Sequence, residues 1–143
     1  MLYDEVVSLY EKSRLVHYRK LFGRIREKEG SLSATEAFAA DVISLLGNPT
    51  IKQFSDCLGI SQPNATYKIN NLIAKGYIEK LPSDGDKRET RVHACNKYFA
   101  YCGGQNDFIA DAVRRLEAEY PQEELEVFEK MIKKLSESVE KED

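Results

Sequence analysis

TIKQFSDCLGISQPNATYKINNLIAKGYIEKLPSDGDKRETRVHAC, residues 50–95, reads as two short helices, a strand, a charged turn and a second strand. Thr50, behind the Asn48-Pro49 turn, has a hydroxyl suited to capping the first helix, and Gly59 suits its left-handed C-terminal residue. Ile51, Phe54 and Leu58 then share one face. Ser61 predicts an N-cap for the second helix, and Pro63 falls in its first turn, where a missing N–H costs nothing. Ala65, Ile69 and Leu72 form its apolar stripe. Two helices joined by a short Gly-containing turn are the pattern of a helix-turn-helix, whose second helix fits a DNA major groove.

Opposite that stripe stand Asn64, Tyr67, Asn70 and Asn71, flanked by Thr66 and Lys68, with Gln62 at the N-terminal end. Amides, hydroxyls and a phenol can read base-edge donors and acceptors, whereas a merely soluble face more usually carries Glu and Lys. Beyond Lys75-Gly76, residues 77–81 alternate as a half-buried strand, and residues 90–94 alternate again. Between them, Pro82 to Glu89 makes a hairpin turn with Lys87 and Arg88 at its tip and Arg91 on the return strand. An Arg on a narrow loop can enter the minor groove, where the potential is most negative. Asp86 is placed to hold Arg88 in one geometry through a charge-assisted pair.

LGISQP (Leu58 to Pro63), KGYIEKLPSDGDKR (Lys75 to Arg88), the Asp86-x-Arg88 pair and YPQEELEVFEKMIKKL (Tyr120 to Leu135) together resemble the MarR family of bacterial winged-helix transcriptional regulators. The sequence departs from the family at Ala94-Cys95, where Leu-Thr is usual, and at Tyr98, where Gly is common. The resemblance implies a mainly α fold with a small β-hairpin wing, in one MarR-type domain over residues 1–143. Residues 1–30 and 98–143 would supply dimerisation helices, and residues 33–97 the winged helix-turn-helix. On this reading Ser61, Gln62, Asn64, Thr66, Tyr67 and Asn71 contact DNA from the recognition helix, with Lys68 on a phosphate. Arg88 enters the minor groove, and Lys87 and Arg91 meet phosphates. The implied action is repression by a homodimer, tuned by a small-molecule effector in a pocket for which Tyr18, Phe22, Phe38, Tyr98 and Tyr101 are the aromatic candidates. Ordinary core packing is the competing reading of those five.

The 143 residues fit one domain with a sizeable core. Apolar runs are far too short for a membrane span, and MLYDEVVSLYEKSR lacks the basic start and cleavage site of a signal peptide, so a cytoplasmic location without membrane contact is expected. Three cysteines without framework spacing agree with a reducing compartment. The net charge of -3 is unevenly spread. Residues 50–97 carry eight basic and five acidic side chains, and residues 98–143 six and twelve. Positive potential is therefore concentrated on the helix-turn-helix and wing.

Upstream, Leu2, Val6, Leu9, Val16, Leu21 and Ile25, beside Tyr10, Tyr18 and Phe22, predict an apolar helical stripe from Leu2 to about Lys28, ended by Gly30. Ser33-Ala34-Thr35-Glu36 is a capping box opening a helix that runs to Gly47. Downstream, a helix over Asn96 to Tyr120 is interrupted or kinked at Gly103-Gly104, and Pro121 begins the last helix. There Leu125, Phe128, Ile132, Leu135 and Val139 recur at three- and four-residue steps, a coiled-coil-like seam. Either this apolar surface packs within the chain, or both chain ends build a homodimer interface. A two-fold dimer would read an inverted-repeat operator in double-stranded DNA, with recognition helices about 34 Å apart.

Other chemistries have weaker support. Cys57 falls on the solvent side of its helix, while Cys95 and Cys102 could share a helix face, Cys95 near an N-terminus that could lower its thiol pKa. A thiol-based redox-sensing regulator is thus one alternative. His93, Cys95 and Cys102 match no compact zinc spacing, and His17 is remote in sequence, so neither a metal nor any cofactor is expected. His93 reads as a hairpin surface residue. No phosphate loop, nucleophile elbow or acid-base pair marks an enzyme. A winged-helix module that binds protein partners remains the second alternative.

Overall fold

The computed structural model describes residues 1–24, 31–81, 89–102 and 107–140. It divides into two compact units, Met1–Gly103 and Gly104–Asp143. In the first, α1 (Leu2–Arg24) precedes α2 (Ala34–Leu46), α3 (Ile51–Leu58), α4 (Gln62–Ala74), the strands β1 (Ile78–Leu81) and β2 (Arg91–Ala94), and α5 (Asn96–Cys102). In the second, α6 (Asp107–Glu119) is followed by α7 (Gln122–Val139). The helices dominate, and one antiparallel hairpin forms the wing, as the sequence predicts.

Local capping chemistry sets the helix starts. Ser33 and Glu36 make a reciprocal capping box, Ser33 Oγ accepting from the Glu36 amide at 3.2 Å and Glu36 Oε1 from the Ser33 amide at 3.0 Å. Thr50 and Gln53 repeat it at α3, at 3.1 and 2.9 Å, and Ser61 Oγ accepts from the Asn64 amide at 3.2 Å to cap α4. Pro63 sits in the first turn of α4. Gly59 ends α3 at φ 64°, ψ 35°, a left-handed conformation that costs a side-chain-bearing residue strain.

Ala65, Ile69 and Leu72, wholly buried, bring α4 onto a core that contains Ala37, Ala40 and Ile43 of α2, Phe54 of α3, and Ile78 and Val92 of the hairpin. β1 and β2 pair with Ile78 opposite Ala94 and Leu81 opposite Arg91. A third segment joins them: Thr50 bridges Arg91, the Val92 amide donates to the Pro49 carbonyl at 3.0 Å, and the Ile51 amide donates to the Thr90 carbonyl at 3.3 Å. The cap of α3 is therefore also the outermost rung of the wing.

Two expectations, for Leu58 and Pro121, need correction. Leu58 is exposed rather than sharing the buried face, because α3 turns Phe54 and Ser55 inward and its last turn runs past the core edge. Ser55 tolerates that burial by donating its hydroxyl to the Lys52 carbonyl at 2.9 Å. The apolar stripe of α1 stays largely open: Leu21 is buried, while Leu2, Leu9, Tyr10 and Phe22 are exposed. Pro121 stands outside α7 as an extended N-cap, φ -71°, ψ 157°, rather than as its first helical residue. The interrupted helix is two described segments, α5 and α6, and Gly103-Gly104 lie outside the described residues, as does the stretch from Ile25 to Gly30.

In the second unit neither helix has a buried residue. Leu116, Tyr120, Glu124, Leu125 and Phe128 line an open cleft of about 300 Å³ where α6 meets α7. The predicted seam is half-buried at Leu125 and exposed at Phe128, Ile132, Leu135 and Val139.

The core packing predicts that Ile69→Ala costs about 2–5 kcal/mol of unfolding free energy, the range for truncating a buried aliphatic side chain. Asn70→Ala, one position along on the exposed face, should stay within about 0.5 kcal/mol of wild type. Urea denaturation of the two variants measures both, and equal effects would mean that α4 is not seated on this stripe.

Candidate nucleic-acid interface

Seating two consecutive turns of α4 on the core fixes its rotation, so its other face is presented outward. Gln62, Asn64, Tyr67 and Asn70 are exposed, and Thr66, Lys68 and Asn71 are half-buried along the edges. Tyr67 stands out furthest, at 67% exposure, which leaves both its ring and its hydroxyl accessible. Ser61 uses its oxygen for the cap but keeps an O–H to donate. The seven residues expected on the reading face (Ser61, Gln62, Asn64, Thr66, Tyr67, Lys68 and Asn71) thus lie on one helix and its cap, side by side.

The wing is described at its base alone. Asp86, Lys87 and Arg88 lie outside the described residues, and Arg91 is the one predicted wing contact inside them. Arg91 is engaged: its Nη1 donates to the Asn48 carbonyl at 2.9 Å, and Nη2 lies 3.7 Å from Glu89 Oε2. It ties the hairpin to the turn between α2 and α3, a use invisible in sequence because 43 positions separate the partners.

Two other cations are held internally. Lys75 Nζ donates to the Ser31 carbonyl and to Glu36 Oε1, both at 2.8 Å, fastening the end of α4 to the start of α2. Lys97 Nζ donates to the Lys75 carbonyl at 2.6 Å and sits 4.5 Å from the centre of the Tyr77 ring. Burial pushes the Glu36 carboxyl up, but hydrogen bonds from Lys75 and from Ser33, with the Lys75 charge, outweigh it and hold the group below its ordinary value of 4.5.

The five aromatic candidates fall into separate groups. Tyr18 and Phe22 of α1 meet Phe38 of α2 edge-to-face, each at 6.4 Å between ring centres, and all three rings are partly exposed. Tyr98 is buried, its hydroxyl donating to Asp41 Oδ1 at 3.0 Å, while Asp41 Oδ2 lies 3.2 Å from His17 Nε2. Tyr101 packs on Tyr77 at 5.6 Å. Tyr98 and Tyr101 therefore belong to the packing of α5, and His17 of α1 is a partner of Asp41.

Cys95 goes against the redox-sensing alternative. Burial, then the charge and hydrogen bond of the neighbouring Glu79 carboxylate, push the thiol up rather than down. Glu79 also takes His93 Nε2 at 2.7 Å across the hairpin, so His93 is half-buried in a polar pair rather than a plain surface residue. Cys57 is exposed, as expected. Among the described residues no cluster of three or more His, Cys, Asp or Glu could hold a metal ion, and no helix is long and apolar enough to cross a membrane.

A model of the MarR family matches residues 31–89, a span that begins just before α2 and ends just before β2. Over nearly its whole length the chain is similar in fold to FabT of Streptococcus pneumoniae, solved in complex with DNA, at 24% identity over 97% of this chain and 95% of that one, TM-score 0.58. It is also similar to a MarR family protein from Bacillus stearothermophilus, at 14% identity over 98% and 94%, TM-score 0.63. A mutant of E. coli MarR complexed with operator DNA matches at 21% identity over 94% and 98%, TM-score 0.50. No curated protein matches the chain significantly.

The lowered Glu36 pKa carries a sign. A depressed carboxylate adds stability that is present above its unfolded value and lost as pH falls through the folded one. Wild-type stability should therefore drop more steeply below about pH 4.5 than that of Glu36→Gln, which has no such proton to take up. Thermal melts of both proteins between about pH 3 and 7 decide this, and parallel curves would remove the clamp as a stabilising element.

Proposed function

We propose that this chain, whose winged helix over residues 31–89 is of the MarR family, is a homodimeric transcriptional regulator that binds an inverted-repeat operator in double-stranded DNA and represses from it. The observation that carries the reading is the face of α4: hydrogen-bonding side chains with almost no charge, held outward by a stripe with zero exposure behind them. Such a face is suited to base edges, which offer donors, acceptors and methyl groups rather than charge. Asn64 and Asn71 are matched to the paired donor and acceptor of adenine, and Tyr67 and Thr66 to thymine methyls or to phosphates. Lys68 supplies a phosphate contact. Lys87 does the same from the wing, where Arg88, positioned by Asp86, enters the minor groove. The DNA-bound state of FabT, similar in fold at 24% identity, supports the same use of this fold.

The homodimer rests on exposed apolar surface. A helix pair with no buried residue, in a unit of this size, lacks a core of its own, and its seam at Phe128, Ile132 and Leu135 needs a partner surface. The exposed stripe of α1 has the same need, so both chain ends serve dimerisation around the winged helix. A small-molecule effector would act at Tyr18, Phe22 and Phe38, whose rings are edge-packed yet accessible. The cytoplasm is the compartment of such a regulator.

Fluorescence-anisotropy titration against the DNA flanking its own gene, with random duplex as competitor and at two salt concentrations, tests the regulator. Saturable binding of one dimer per inverted repeat that survives competitor is expected. Asn64→Ala should then relax base preference at one position per half-site, at a cost of about 1–3 kcal/mol. Binding lost equally to competitor on every site would leave the partner-binding winged helix as the better reading.

Charges placed at Phe128 and Ile132 should split the dimer and abolish tight operator binding together. Light scattering reads the mass directly, and a variant that stays dimeric puts the interface elsewhere.

A further inference from the structure

Beside the reading face of α4 opens a cleft of about 220 Å³, lined on one wall by Tyr67, Lys68 and Asn71 and on the other by Ser33, Thr35, Glu36 and Ala39 of α2 and its cap. We propose that this cleft is a seat for a DNA backbone phosphate, with Lys68 and Thr35 as its donors, so that α2 joins α4 and the wing in holding the operator. The proposal rests on the DNA-binding reading and adds a binding site on a helix outside the helix-turn-helix.

The case is an account of donors. Lys75, Lys97 and Arg91 each spend their charge on carbonyls or carboxylates of the chain. The Lys68 ammonium, the Thr35 hydroxyl, the Tyr67 hydroxyl and the Asn71 amide have no hydrogen-bond partner among the described residues, and all four line this cleft. The amide of Glu36 is already taken by Ser33, so the helix terminus alone does not make the site. The one acid in the lining, Glu36, faces the Lys75 ammonium at 2.8 Å, which offsets its charge and leaves Lys68 to set the sign. Donors without a partner in the chain, set around a net positive charge, suit a ligand made of acceptors, which a DNA phosphate is. Because one wall is the reading helix itself, whatever α4 reads brings its own backbone past the opening. A DNA phosphate is the occupant that continuity favours.

Thr35 permits a clean test, since it is exposed and stands two residues inside the cap of α2. An acid there favours the helix dipole, so Thr35→Glu should melt at or above the wild-type temperature while setting a like charge against the phosphate. Operator affinity should fall at least about tenfold in Thr35→Glu and about threefold in Thr35→Val, with base preferences in a binding selection unchanged. Lys68→Gln should lower the slope of log K against log salt by about one per protomer. Replacing the phosphates of the operator one at a time by methylphosphonate should reveal a single position per half-site where the penalty of Thr35→Glu disappears. If wild type binds its operator specifically and Thr35→Glu binds it equally well, or no such phosphate is found, the seat is wrong and the regulator reading stands. If wild type prefers no duplex over random DNA, the regulator reading fails and takes the seat with it.

Discussion

The burial of Ala65, Ile69 and Leu72 against Phe54, Ile43, Ile78 and Val92 is the constraint on which the rest depends. A helix packed by one stripe has one free variable that matters for recognition, its rotation about its own axis. Three fully buried positions spread over two turns remove that freedom, because rotating α4 by one residue would bury an Asn and expose a Leu. At about 1.5–3 kcal/mol for each large aliphatic side chain removed from water, with an added cost for any stranded amide, the correct rotation wins by several kcal/mol. The polar face needs no stabilising contacts of its own. Its residues are free to be chosen for what they read.

Rotation is only half of the geometry, because the wing must also stand at a fixed place relative to α4. Two polar fasteners act at opposite edges. At one, Lys75 joins the end of α4 to Ser31 and Glu36 at the start of α2. At the other, Arg91 and the Thr50 bridge join the hairpin base to the turn before α3. Each links elements that already share the apolar core, so little further chain entropy is lost in closing it. Each also places a charge at the rim rather than in the core, where desolvation would consume the gain. Strung between the fasteners, α3, α4 and the hairpin base behave as one block.

This division explains what was legible in the sequence. Caps and stops need partners within three or four residues, and Ser33, Thr50, Gly59 and Ser61 fall where the local pattern puts them. The α4 stripe and the alternation of the two strands follow from periodicity, which is equally local. Leu58 was misread because periodicity names a face but not where the core ends along it. The helix start beside Cys95 is visible because it is local, whereas the Glu79 carboxylate that raises its thiol arrives through strand pairing. The Arg91 link, the Lys75 clamp and the cleft shared by Thr35 and Lys68 join residues more than 30 positions apart, with no periodic signal between them. One sequence cannot disclose these pairings, since Lys and Glu are common and each has many candidate partners.

That lesson bears on charge. Counting side chains gives residues 50–97 an excess of three positive charges, which reads as an electrostatic footprint for phosphates. Yet Lys75 is neutralised by Glu36, Arg91 lies beside Glu89, and Lys97 is turned onto a carbonyl and a ring. What a polyanion meets at short range is the uncommitted set, which among the described residues of this span is Lys52, Lys68 and Lys80, with Lys68 alone of the three on α4. Counterion release scales with cations that replace salt at phosphates, not with cations that are paired before binding. An uncommitted set smaller than the full count gives weaker and less salt-dependent non-specific binding than the count alone implies. In the proposed regulator, discrimination between sites would then come from the neutral hydrogen-bonding face of α4, since salt scarcely screens contacts between neutral groups and base edges.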